Sequence, residues 1–94
     1  MIYIKSTKYV VNAEKLKVFL DYLHVFVKKG RMELHNLSLE YGLINENEII
    51  LTERWSSQQD LKNFEKRDEI KVELETLAKM ASQTLVLFAL ETVK

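Results

Sequence analysis

The chain has 94 residues, no cysteine, no proline and two glycines, and its fourteen basic side chains balance fourteen acidic ones for a net charge of zero. That length fits one domain over residues 1–94. The lack of cysteine excludes a disulfide framework, a thiolate zinc site and a thiol nucleophile, and the charge balance argues against a nucleic-acid partner, which calls for a basic face.

An apolar share of 47% is that of a chain that folds. No run approaches the roughly 18 consecutive apolar residues of a membrane span. The opening Met1-Ile2-Tyr3-Ile4-Lys5 has neither the basic region nor the small-residue cleavage site of a secretion signal. A cytoplasmic protein with no membrane partner is therefore expected.

Ile2 to Val11 alternates loosely and is rich in β-branched and aromatic residues, which predicts a strand. Asn12 is placed to accept from the first free N–H groups of a helix. From Ala13 the period becomes helical, with Leu16, Phe19, Leu20, Leu23 and Val27 in one apolar stripe and Lys17, Asp21, His24 and Lys28 opposite. Gly30 is expected to end that helix in the usual glycine position just past it. Leu34–Tyr41 and Glu48–Trp55 alternate again, and the turn-forming residues between them predict a hairpin. Ser56 to Asp60 resembles a capping box opening a short helix with Leu61 and Phe64 inward. Asp68 is expected to cap a further segment with Ile70, Leu74, Leu77 and Ala81 inward, and the apolar run Leu85–Leu90 is the last strand.

The order β-α-β-β-α-β is the ferredoxin-like α+β arrangement, a four-stranded antiparallel sheet. Right-handed crossovers put both helical segments on one side of it. The other side is expected to be apolar as well. In the last strand Leu85, Leu87 and Ala89 alternate with Val86, Phe88 and Leu90, and in the third Ile50 points away from Ile49 and Leu51. An uncovered apolar sheet marks an interaction surface. A two-fold homodimer joined through that sheet face is the simplest way to cover it.

Pairing Tyr41 with Glu48 puts Leu34, Asn36, Ser38 and Glu40 on one face with Ile49, Leu51, Glu53 and Trp55; a slip of one residue exchanges the faces. In this register Asn36 lies across from Glu53, with Trp55 two residues on. A carboxylate, an amide and an indole beneath the helices have the character of a small-molecule site. The alternative is a structurally paired Glu53 beside a tryptophan that only packs. A cavity of about 300 Å³ or more beside Glu53 favours a ligand, whereas Trp55 and Phe64 filling the space favours packing. His24 is expected in solvent, and His35 in packing or an interface. The two do not make a metal-ligand spacing. The run Glu65-Lys66-Arg67-Asp68-Glu69 mixes both signs and is expected to be a solvated helix boundary. No phosphate loop, nucleophile elbow or HExxH motif occurs.

Lys8-Tyr9-Val10-Val11-Asn12-Ala13-Glu14-Lys15, with Phe19 in the following helix, resembles the opening of antibiotic biosynthesis monooxygenase domains. Thr52-Glu53-Arg54-Trp55-Ser56-Ser57-Gln58-Gln59-Asp60-Leu61 is similar to their most recognisable stretch, a strand with Glu-x-Trp followed by a capped helix. The likeness runs over nearly the whole chain. It implies a dimeric α+β barrel and a cavity between sheet and helices. The resemblance puts Trp55 and Glu53 in the cavity wall; with Asn36 from the assumed register, Glu53 and Asn36 are the expected catalytic residues, and Trp55, Leu51, Phe64 and Phe19 are expected to contact substrate. It further implies a monooxygenase, an oxidoreductase without cofactor or metal, acting on a small aromatic or quinone-like ligand. In such a reaction the deprotonated substrate itself donates electrons to oxygen, while the protein supplies a dry, oriented pocket.

The sequence also departs from the family. Phe64 stands where many relatives carry a histidine, Leu51 where some cofactor-free members have asparagine, and Leu34-His35 where Pro-Gly is common. A greasier cavity follows, and with it the alternative of a non-catalytic binding or regulatory dimer of the same fold. Haem degradation, which a related branch performs with a helix histidine, finds no histidine at the matching region.

Overall fold

The computed structural model describes residues 1–93. The elements are β1 (Tyr3–Val10), α1 (Ala13–Arg31), β2 (Asn36–Leu43), β3 (Glu48–Trp55), α2 (Gln58–Glu65), α3 (Asp68–Met80) and β4 (Gln83–Glu91). The four strands form one antiparallel sheet in the order β2-β3-β1-β4. This is the expected ferredoxin-like α+β fold, with the second helical segment divided in two. None of the described helices is long and apolar enough to cross a membrane.

The core lies between the helices and one face of the sheet. Tyr9, Leu39, Ile49, Leu51 and Trp55 meet Phe19, Leu23, Phe26 and Val27 of α1, with Leu61, Phe64, Ile70 and Leu77 closing from α2 and α3. Burial of this stripe, rather than helix propensity, fixes α1. Ser57 caps α2 as the capping-box pattern requires: its hydroxyl accepts from the Asp60 N–H at 3.1 Å and donates to the Asp60 carboxylate at 2.8 Å.

Three local expectations change. Asn12 is the N-cap of α1, but its side chain makes no capping bond; its backbone carbonyl accepts from the Lys15 N–H instead. Asp68 is the first residue of α3 rather than its cap, which is Arg67. Gly30 lies inside α1, one residue before its end, with no left-handed backbone. A Cβ there would collide with Leu39 Cδ2, so glycine serves close packing of helix on β2 and not chain reversal.

The hairpin register also differs. Tyr41 pairs with Leu51, not Glu48, and Leu39 pairs with Glu53. A shift of three is odd, so it turns Leu39 and Tyr41 inward and Glu40 outward. A bulge between Asn36 and Ser38 then sets Asn36 opposite Trp55. The hydrophobic demand of Leu39, fully buried, wins over the symmetric loop assumed from the sequence.

A second bulge falls in β4. Ser6 pairs with Phe88 and Thr7 with Val86, which skips Leu87 and breaks the simple alternation expected there. Leu85, Phe88 and Leu90 therefore share the open face with Ile4, Val10 and Ile50, while Val86 and Ala89 turn toward the helix side. All of β4 is exposed. The open face is apolar toward β4 and β1 and polar toward β2, where Ser38, Glu40, Thr52 and Arg54 lie.

Candidate functional site

Neighbouring strands bring the site together. On the helix side of β1, Lys5, Thr7 and Tyr9 succeed one another at every second residue, opposite Glu53, Leu51 and Ile49 of β3. Beneath α3 these strands leave a cavity of about 200 Å³. Thr7, Tyr9, Leu51 and Glu53 make its floor, Leu74 and Ala78 of α3 its roof, and Val86 part of its β4 wall. At the mouth, Lys5 of β1 meets Glu65 of α2, Nζ to Oε2 at 3.4 Å.

Glu53 is 4% exposed. Among the described residues it takes one hydrogen bond, from Trp55 Nε1 to its Oε1 at 3.0 Å. Burial pushes its carboxyl above the ordinary glutamate range; the Trp55 bond and the Lys5 charge oppose this, and Glu65 adds to it. The Tyr9 phenol is pushed up to about 12 by burial first, then by Glu53 and Glu65. A carboxylate with a raised pKa and a free oxygen at a largely apolar cavity is equipped to take a proton from a bound hydroxyl.

The raised pKa has a consequence for stability. The folded carboxyl holds its proton more tightly than the unfolded one, so its contribution is full below the ordinary value of 4.5 and is lost as pH rises through the raised value. Glu53→Gln removes the ionisation and keeps an acceptor for Trp55. From acid toward neutral pH, wild type is expected to lose stability relative to Glu53→Gln. Urea unfolding of both proteins at about pH 4 and about pH 8 measures this, and an unchanged difference between them would refute the assignment.

The indole of Trp55, 1% exposed, packs on Phe64 with ring centroids 5.1 Å apart. Together they wall off a second hollow of about 180 Å³, lined also by His35, Asp60 and Arg67. Trp55 and Glu53 are thus bonded to each other yet face different hollows. Leu51 joins Glu53 at its cavity, Phe64 joins Trp55, and Phe19 lines neither, packing instead on Tyr9 at 5.1 Å. Asn36 is not opposite Glu53, as the assumed register required. Its amide donates to the backbone carbonyls of Ser38 and Arg54, each at 3.3 Å, and closes the β2 bulge.

The sequence reading passed over Lys5, Thr7, Tyr9 and Glu65. The signal for the first three was their alternation along β1, usable once β1 is laid beside β3. The charge run is also more than solvated: Glu65 reaches Lys5, and Arg67 pairs with Glu33 at 2.8 Å and Glu69 at 2.9 Å while lying over the Phe64 ring. His24 is exposed but bonded to the Tyr41 hydroxyl at 3.0 Å, and His35 is exposed rather than packed. Among the described residues no three of His, Asp and Glu gather as a metal site would require.

No protein-family profile and no curated protein matches the chain. Solved structures do. A conserved protein of Methanosarcina mazei Go1 superposes with a TM-score of 0.88 at 16% identity, over 98% of this chain and 93% of that one. A provisionally named antibiotic biosynthesis monooxygenase of Deinococcus radiodurans gives 0.88 at 15% identity, over 100% and 94%. Another, from Nitrosomonas europaea, gives 0.86 at 12% identity, over 98% and 90%. The fold is that of structures carrying the antibiotic biosynthesis monooxygenase name, over nine-tenths or more of their length.

Proposed function

We propose that this chain is a cofactor-independent monooxygenase for a small aromatic or quinol-like compound, bound against Glu53 in the cavity between sheet and helices. The observation that carries the reading is the Glu53 carboxylate itself, almost fully buried, with one oxygen left free at a cavity of about 200 Å³. An apolar cavity of about 150 Å³ takes a benzene ring, and drug-sized ligands need about 300 Å³ or more. At about 200 Å³ the cavity falls short of the roughly 300 Å³ expected of a ligand site of ordinary size, and it suits one ring with small substituents only. The monooxygenase name carried by structures of the same fold supports the reaction class.

Glu53 would take the hydroxyl proton of a bound hydroquinone and so raise the electron density of the ring. The ring then reduces oxygen. One oxygen atom ends in a new C–O bond that replaces a ring C–H, the other leaves as water, and the product is a hydroxyquinone. Four electrons leave the substrate and four enter O₂, so no further reductant is needed. Tyr9 and Thr7 offer hydroxyls to the second oxygen of the ring, and Leu51 and Leu74 pack against its apolar faces.

Oxygen uptake with one-ring hydroquinones tests this. Wild type is expected to consume one O₂ per hydroxyquinone formed, and Glu53→Gln to slow turnover by about 100-fold with its circular dichroism unchanged. Substrate binding without uptake would instead favour a non-catalytic binding dimer. The close packing of Trp55 on Phe64, which shuts the indole away from the Glu53 cavity, supports that second reading. In either case we propose a homodimer through the open sheet face, supported by the apolar Leu85, Phe88 and Leu90 exposed there.

A further inference from the structure

Charged side chains surround the Glu53 cavity. Besides the neutral Tyr9 phenol, three charged side chains line it among the described residues: Lys5 of one sign, Glu53 and Glu65 of the other. No arginine or histidine lines it. Lys5 is engaged by Glu65 at 3.4 Å, at a mouth where both are partly solvated. Glu53, 4% exposed, feels the charge of Lys5 across the β1–β3 ladder, but among the described residues it is bonded to no cation. Re-pairing Lys5 with an incoming anion would release Glu65, so the sum of the three charges stays at one negative however they pair. Glu53 itself is almost out of solvent, so a like charge brought beside it is screened less than at the surface.

We propose that the cavity ranks its ligands by charge, taking a single-ring phenol that carries an amino group most tightly, its uncharged analogue next, and its carboxylate analogue least. The proposal rests on the cavity being a ligand site and names the substrate class for it. The Tyr9 phenol, pushed up to about 12 by burial first, is raised further by Glu53 and Glu65, and that second part agrees: both carboxylates oppose an anion beside them. An ammonium or hydroxyl donor gives the free Glu53 oxygen the partner the protein withholds. A carboxylate brings a second acceptor to the place where an acceptor already lacks a donor.

Calorimetric titration with 4-hydroxybenzylamine, 4-methylphenol and 4-hydroxybenzoate reads the order directly, since the three share one ring and differ in charge. The amine is expected to bind at least about tenfold more tightly than the carboxylate. Glu53→Gln is expected to bring the two within about threefold, and Lys5→Gln, at the solvated mouth, to widen the gap. A carboxylate that binds as tightly as the amine overturns the proposal. So does an order that Glu53→Gln leaves unchanged, or the failure of all three to bind. Oxygen uptake is scored separately: loss of turnover with the charge order intact removes the monooxygenase reading and keeps this one, and the reverse result removes this one alone.

Discussion

Replacing Trp55 by alanine is expected to remove about 3–5 kcal/mol of stability, which makes it a test of the fold and not of the ligand. The indole is 1% exposed, lies opposite Tyr3 on β1 and Asn36 on β2, and packs on Phe64. Its removal would open the partition between the two hollows. It would also strip Glu53 of its one donor, a further loss of about 1–3 kcal/mol for a buried acceptor left alone. Against a total of about 5–15 kcal/mol for a domain, that is a large share of the margin, and at the low end of the range it is all of it. Trp55→Phe keeps most of the packing and loses mainly the hydrogen bond, so it should fall between. Urea unfolding of the three proteins decides the matter. A Trp55→Ala variant as stable as wild type would mean that the indole is no partition and that the two hollows are one mobile space. Catalysis is better probed at Glu53, where Gln preserves both shape and acceptor.

What could be read beforehand follows which patterns are local. Helix periodicity located α1 and the inward sides of α2 and α3, since apolar residues three and four apart have one way to be buried together. Glu48–Trp55 is legible to the residue because turn residues precede it and the Ser56-Ser57 helix start follows it. Pairing between strands is not local. The hairpin slipped by three positions because the loop length was judged from its turn residues, whereas the structure sets it by burying Leu39 and bulging at Leu37. That slip carried Asn36 into the supposed site and kept Tyr9, Thr7 and Lys5 out, since their relation to Glu53 exists only across the β1–β3 ladder. Gly30 misled for a similar reason. A glycine near a helix end suggests a left-handed cap, and only the nearness of Leu39 from another element shows the real demand. Glu-x-Trp was legible as a motif, and the two residues do bond, but two hollows in place of one appear only once Phe64 is set on the indole.

Phe88→Asp is expected to turn a homodimer into folded monomers. Phe88 is 46% exposed, sits opposite Ser6 on the open face, and has Leu85 and Leu90 beside it at 39% and 44%. It belongs to no part of the core, so the protomer should keep its own stability. In a two-fold interface each residue appears twice, so one substitution places two unpaired carboxylates in the buried apolar patch. At about 2 kcal/mol for each copy of a central aromatic, the dissociation constant should rise by at least about a thousandfold. The polar end of the same face gives the contrast: Glu40 and Arg54 lie toward β2 and are exposed, so Glu40→Gln should move association by less than about tenfold. Val18, exposed on the outer side of α1 and away from the sheet, is the further control; Val18→Asp should leave assembly unchanged. Sedimentation at about 10 µM, a concentration well above the Kd of an ordinary stable dimer, reads all four proteins. A wild type that sediments there as a folded single protomer would overturn the dimer. A Phe88→Asp dimer as tight as wild type would move the interface off this face, leaving Leu85, Phe88 and Leu90 to be explained by some other cover.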